Sequence, residues 1–137
     1  MYRASPVTVQ SMVVIDDALD RQSLLLRGSL DMCVLALIDR EPQHAYGVVE
    51  ELAEFGFEQM SYGTIYPLVT RLRRQGLIDQ RSEASRGGPA RNILTTTPEG
   101  RAAMARWSTQ WHDTANKISA LLEAPRTTSA KGEAHAI

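Results

Sequence analysis

The apolar period of this 137-residue chain changes at Gly76, and that change sets the order of its elements. Before it, Ile65, Leu68, Val69 and Leu72 recur at i, i+3, i+4 and i+7, the spacing of a helix with one buried face. Ser61 suits the N-cap of that helix, and Gly76 suits its end. After Gly76, Leu77 to Ser82 and Arg91 to Thr96 read as two short strands, and Ala84 to Pro89 between them is turn-forming. Thr97-Pro98-Glu99 then supplies an N-cap, a proline at the first helical position and an acidic first turn, opening a last helix that runs to about Glu123. At 15.2 kDa there is room for one compact domain and a projecting element, and too little for an enzyme with a separate cofactor domain.

Upstream the pattern is also helical. Leu24 to Asp39 is strongly apolar and free of turn residues after Gly28, which predicts one buried helix stopped by Glu41-Pro42. A second helix is expected from about Ala45 to Phe55, ending near Gly56. Its Val48, Leu52 and Phe55 would point inward, and Glu50, Glu51 and Glu54 would face water. Residues 1–20 form an N-terminal extension of mixed polarity. Met12 offers a second start for translation, and the same segment suits an extra packed helix; the sequence leaves both open. Residues 125–137 have the composition of a disordered tail.

Several function classes are disfavoured. A single cysteine, Cys33, excludes an internal disulfide framework and leaves a Cys-only zinc site short of ligands; its apolar surroundings predict a buried small hydrophobe. His44, His112 and His135 carry no metal spacing and no cysteine-linked motif, and no phosphate-binding glycine loop precedes a helix. Neither catalysis, a metal nor a cofactor is expected. Met12 to Ile15 is too short for a signal segment and runs into Asp16 and Asp17, and the longest apolar runs cannot span a bilayer, so a cytoplasmic location without membrane partners is expected.

The net charge of -1 argues against a nucleic-acid partner only as a sum. Residues 61–91 carry six arginines against two acidic residues, a formal +4, whereas residues 1–60 carry four arginines against ten acidic residues. One basic helix-plus-hairpin unit therefore stands in an otherwise acidic or neutral chain, the footprint of a DNA reader. On the third helix the face opposite the core holds Gly63, Pro67, Thr70 and Arg74, flanked by Thr64 and Arg71 on one side and by Tyr66 and Arg73 on the other. Gly63 and Pro67 keep the first turns slim, while Ser61, Thr64, Tyr66 and Arg71 can donate to phosphates or base edges. Arginine suits bidentate contacts to phosphate and guanine. The fold class expected is mainly α with a small β-hairpin wing: a winged helix-turn-helix domain over residues 21–97, followed by a C-terminal helix over 98–124. The competing reading is a winged helix used for protein or RNA contact.

His44-Ala45-Tyr46-Gly47-Val48, Ser61 to Leu68, Arg71-Leu72, Gly76-Leu77-Ile78, Gly87-Gly88-Pro89 with Arg91, and Thr97 with Gly100 together resemble the signature of PadR-type transcriptional regulators. The likeness runs from about Leu24 to Leu122, and Gly63-Thr64-Ile65-Tyr66-Pro67 is its most specific part. Two departures stand out. Ala45 replaces a usual glycine, and the second wing strand, usually Arg-Lys-Tyr-Tyr-x-Leu-Thr, here reads Arg91-Asn92-Ile93-Leu94-Thr95-Thr96-Thr97.

The resemblance implies a cytoplasmic homodimeric repressor that binds two half-sites of duplex DNA related by a dyad. Tyr62, Thr64, Tyr66, Pro67 and Arg71, with Ser61, Gly63, Thr70 and Arg74 beside them, would lie near the major groove. Arg86, Gly87, Gly88 and Arg91 of the wing would lie near the adjacent backbone or minor groove. On the last helix Met104, Trp107, Trp111, Ala115, Ile118 and Leu122 form an apolar stripe, and with Leu121 they are expected to build the dimer contact. The resemblance also implies a planar aromatic effector, for which Trp107, Trp111 and His112 are the candidate site.

Overall fold

The computed structural model describes residue 18, residues 20–84 and residues 87–127. A first helix, α1, covers residues 20–27. It is followed by α2 (Leu30–Arg40), α3 (Ala45–Glu54), α4 (Tyr62–Arg74), β1 (Ile78–Glu83), β2 (Arg91–Thr96) and α5 (Pro98–Glu123). The chain is thus a winged helix-turn-helix head with a long C-terminal helix.

The apolar run expected to form one helix is broken at Gly28-Ser29. The Ser29 N–H donates to the Leu26 carbonyl at 2.9 Å, and the Ser29 hydroxyl turns back to the Leu25 carbonyl at 3.3 Å, so it does not cap α2. Leu24 and Leu25, before the break, are exposed rather than buried. Phe55 also departs from expectation. It lies just past the end of α3, is 62% exposed, and carries the Arg40 guanidinium 5.4 Å above its ring, a cation–π contact in place of core packing.

The core is built around α2, which packs against α3, α4, α5 and β2. Val34, Leu35, Leu37 and Ile38 meet Val48 and Leu52 of α3, Ile65, Val69 and Leu72 of α4, Ile78 of β1 and Leu94 of β2. Each fully buried Leu or Ile of this cluster contributes about 1.5–3 kcal/mol. The wing strands pair antiparallel from Ile78↔Thr96 to Glu83↔Arg91. A third backbone segment joins them: Gln43 and Leu94 exchange N–H···O bonds of 3.2 and 2.8 Å, fixing the wing to the turn between α2 and α3. The Gln43 side-chain amide donates to the Leu37 and Glu41 carbonyls, closing the end of α2.

The start of α5 is held to the end of α4 by one residue. Thr97 donates its hydroxyl to the Gly76 carbonyl at 2.7 Å and accepts from the Gly100 N–H at 3.0 Å, while its own N–H donates to the Leu77 carbonyl at 3.1 Å. Gly100 is buried in this junction, and a Cβ there would overlap the Leu77 carbonyl oxygen and lie 2.9 Å from Thr96 Cγ2. Because the obstruction is backbone, no rotamer relieves it. Gly100→Ala is therefore expected to lower stability by about 1–3 kcal/mol. Denaturant unfolding at equal slope reads this directly, and an unchanged midpoint would contradict the junction described.

Candidate nucleic-acid interface

Helix α4 is oriented by its apolar side, where Ile65, Val69 and Leu72 are buried and Leu68 is half-buried against the core. The opposite side is thereby turned to solvent. Ser61 caps the helix, accepting from the Thr64 N–H at 3.3 Å, with its hydroxyl 3.2 Å from that of Thr64. Gly63, Thr64, Pro67, Arg71 and Arg74 are all exposed. Thr70 is half-buried and donates its hydroxyl to the Tyr66 carbonyl at 3.1 Å, so its proton is engaged within the helix.

The two flanks of α4 differ. Toward α3 and the wing, Tyr62 and Tyr66 stack with ring centroids 5.4 Å apart, and Tyr46 of α3 lies 6.5 Å from Tyr62. All three rings are exposed, and they border a cavity of about 490 Å³ closed on the wing side by Gln80, Arg91 and Asn92. Tyr46 belongs to this surface although sequence reasoning assigned it no contact. Its signal was present in the His44-Ala45-Tyr46 motif: His44 Nδ1 accepts from the Gly47 N–H at 3.0 Å, so the motif caps α3 and aims Tyr46 outward. Arg73 and Arg74 share a shallow cleft with Asp79 and Gln80 of β1, and among the described residues neither forms a salt bridge.

On the other flank, Thr64, Pro67 and Arg71 line a cleft beneath α1 with Asp20 and Arg27. Arg71 Nη2 lies 4.0 Å from Asp31 Oδ2 of α2. In the wing, Arg91 opens β2 opposite Glu83, and Gly87 takes φ +70°, a left-handed turn conformation. Gly88 is exposed. Arg86 lies outside the described residues.

The 26-residue α5 is about 39 Å long and divides in two. Gly100 and Ala103 are buried, and Met104 and Trp107 pack half-buried on the head's own core. Farther along, Trp111, Ile118, Leu121 and Leu122 are exposed, the last two to 78% and 81%. Between this helix and α1–α2 runs an open groove of about 690 Å³, walled by Leu25, Met32, Trp107, Trp111, Ala115 and Ile118, with Asp31 and Thr114 as polar edges. His112 is not on its wall; it meets the Trp111 ring edge-on at 5.1 Å. Among the described residues no cluster of His, Cys, Asp or Glu could hold a metal ion, and no helix is long and apolar enough to cross a membrane.

Residues 34–106 match the sequence model of the transcriptional regulator PadR-like family. A PadR family transcriptional regulator from Eggerthella lenta is 34% identical, with a TM-score of 0.72, over 82% of this chain and 99% of that one. A PadR-like transcriptional regulator from Bacillus cereus is 30% identical, with a TM-score of 0.69, over 75% and 100%. A Streptococcus transcriptional regulator is 32% identical, with a TM-score of 0.66, over 72% and 97%. No curated protein sequence matches the chain.

Cys33 is poorly suited to act as a thiol nucleophile. It is half-buried rather than fully buried, and desolvation together with the nearby Asp31 charge pushes its thiol pKa up. A raised pKa leaves less thiolate at any pH below it. Labelling by an aromatic disulfide at pH 7.5 is expected to be several-fold slower in the folded protein than in the denatured chain, and to accelerate as pH rises. Equal or faster labelling of the folded protein would contradict this.

Proposed function

Because the chain belongs to the PadR-like family of transcriptional regulators, we propose that it is a cytoplasmic homodimeric repressor that binds a dyad-symmetric operator. In this reading Ser61, Tyr62, Gly63, Thr64, Tyr66, Pro67, Thr70, Arg71 and Arg74 address the major groove. Arg91 and the wing tip with Arg86, Gly87 and Gly88 address the flanking backbone or minor groove. The observation that carries the reading is the exposed side of α4, where Arg73 and Arg74 in the last turn have no salt-bridge partner among the described residues and, at the start of the helix, Tyr62 and Tyr66 expose their rings next to Tyr46 of α3. Unpaired guanidinium groups on a slim helix face are free to bond phosphate oxygens or guanine edges without first breaking a protein contact.

Dimerisation is supported by the outer half of α5. Trp111, Ile118, Leu121 and Leu122 expose apolar surface along one helix, which a second copy would remove from water. Release by a planar aromatic effector is supported by the groove in which Trp107 and Trp111 present their indoles beside α1 and α2. A ligand there would touch both the dimer helix and the head.

Two outcomes are expected. Affinity for duplex DNA falls steeply with salt, and Arg71→Ala lowers it by about 1–3 kcal/mol without altering the circular dichroism spectrum. Unchanged affinity of the folded variant, or weak and salt-insensitive binding by the parent protein, would contradict the reading. By sedimentation equilibrium the protein should run at twice its 15.2 kDa chain mass. Leu121→Ser combined with Leu122→Ser should weaken that association at least tenfold; a protein already monomeric at micromolar concentration would contradict the dimer.

A further inference from the structure

Of the three arginines in the last turn of α4, only Arg71 lies within ion-pair distance of a carboxylate among the described residues: its Nη2 is 4.0 Å from Asp31 Oδ2, whereas Arg73 and Arg74 have no ion-pair partner. The carboxylate is held in place by its own helix. Asp31 Oδ1 accepts from the Met32 N–H at 2.8 Å, which leaves Oδ2 as the oxygen turned to the guanidinium. Asp31 is also the less exposed partner, 32% against 54% for Arg71, so the arginine is the member free to move away. The pair therefore joins an anion held by the core helix to a more exposed cation at the edge of the proposed DNA face.

We propose that Asp31 is a positioning residue that restrains Arg71 and thereby lowers sequence-independent DNA binding. The inference rests on the DNA reading above. To reach a phosphate, Arg71 must first leave Asp31, and an exposed pair of this kind shifts an equilibrium by up to about fivefold. On a random duplex Arg71 meets mostly phosphate, whereas an operator can place a guanine where a bidentate contact exceeds this cost. Asp31 thus widens the gap between operator and bulk DNA by weakening the latter.

The test uses the full chain and a mixed-sequence duplex, with affinity measured across a salt series. Asp31→Asn keeps an acceptor for the Met32 N–H while removing the charge. It is expected to bind about two- to fivefold more tightly than the parent at low salt, with a salt slope steeper by about one. In an Arg71→Ala background the same substitution should have an effect at least about twofold smaller, because the residue it acts through is gone. Equal factors in the two backgrounds, or no tightening at all, would overturn the proposal. If Asp31→Asn fails to fold, Asp31→Ser removes the same charge while keeping a polar side chain, and carries the same expectation. A parent protein that does not bind duplex DNA removes the DNA reading, and this inference with it. Binding that Arg71→Ala weakens but Asp31→Asn leaves unchanged removes the inference alone.

Discussion

The geometry of the molecule depends on the junction at Thr97. Its hydroxyl and backbone N–H bind the carbonyls of Gly76 and Leu77, just past α4, and the same hydroxyl accepts the Gly100 N–H at the start of α5. Gly100 lets α5 lie directly on the Leu77 backbone. The helix that carries the proposed reading face and the helix that carries the proposed dimer contact are therefore locked together through a few buried atoms. In a dimer, this lock would transmit the pairing of two α5 helices into the spacing and orientation of two α4 helices. Half-site spacing follows from such rigid placement.

The wing is fixed by a second, independent device. The Gln43–Leu94 backbone exchange anchors β2 at its centre, and the buried Leu94 and Ile78 seal it onto the core. Where the resemblance leads one to expect tyrosines, Leu94 is fully buried and Ile93 half-buried, so the strand substitutes apolar packing for polar contacts. At the usual leucine position, Thr96 buries a hydroxyl that has no partner among the described residues. That is a local cost in stability, since a buried unpaired polar atom loses its hydrogen bonds to water. The adjoining surface keeps the aromatic residues of the quoted motifs, Tyr46, Tyr62 and Tyr66.

Much of this was legible in the sequence because the signals are local. Ser61 and Thr97 as caps, Gly76 as a stop and the change of period after it bound α4, β2 and α5 closely. The structure departs from that reading where hydrogen bonds or side-chain contacts override the apolar pattern. The apolar residues on both sides of Gly28 hid a break made by backbone hydrogen bonds, and Phe55 kept helical spacing yet lies beyond the last turn of α3. The meeting of Asp31 with Arg71 joins residues forty positions apart and has no local signature. Helical spacing puts Arg71 on the Thr64 flank of α4, but only the packing of α2 against α4 brings Asp31 within 4.0 Å of it.

The central claim is that the α4 and wing unit, presented twice by a dimer, reads duplex DNA. Selection of bound duplexes from a random pool tests it most directly, because one recovered motif reports binding, symmetry and spacing together. The expected result is an inverted repeat whose half-sites are centred about one helical turn, ~10 base pairs, or a multiple of it apart. Recovery of no enriched sequence, or of a single motif without dyad symmetry, would contradict it.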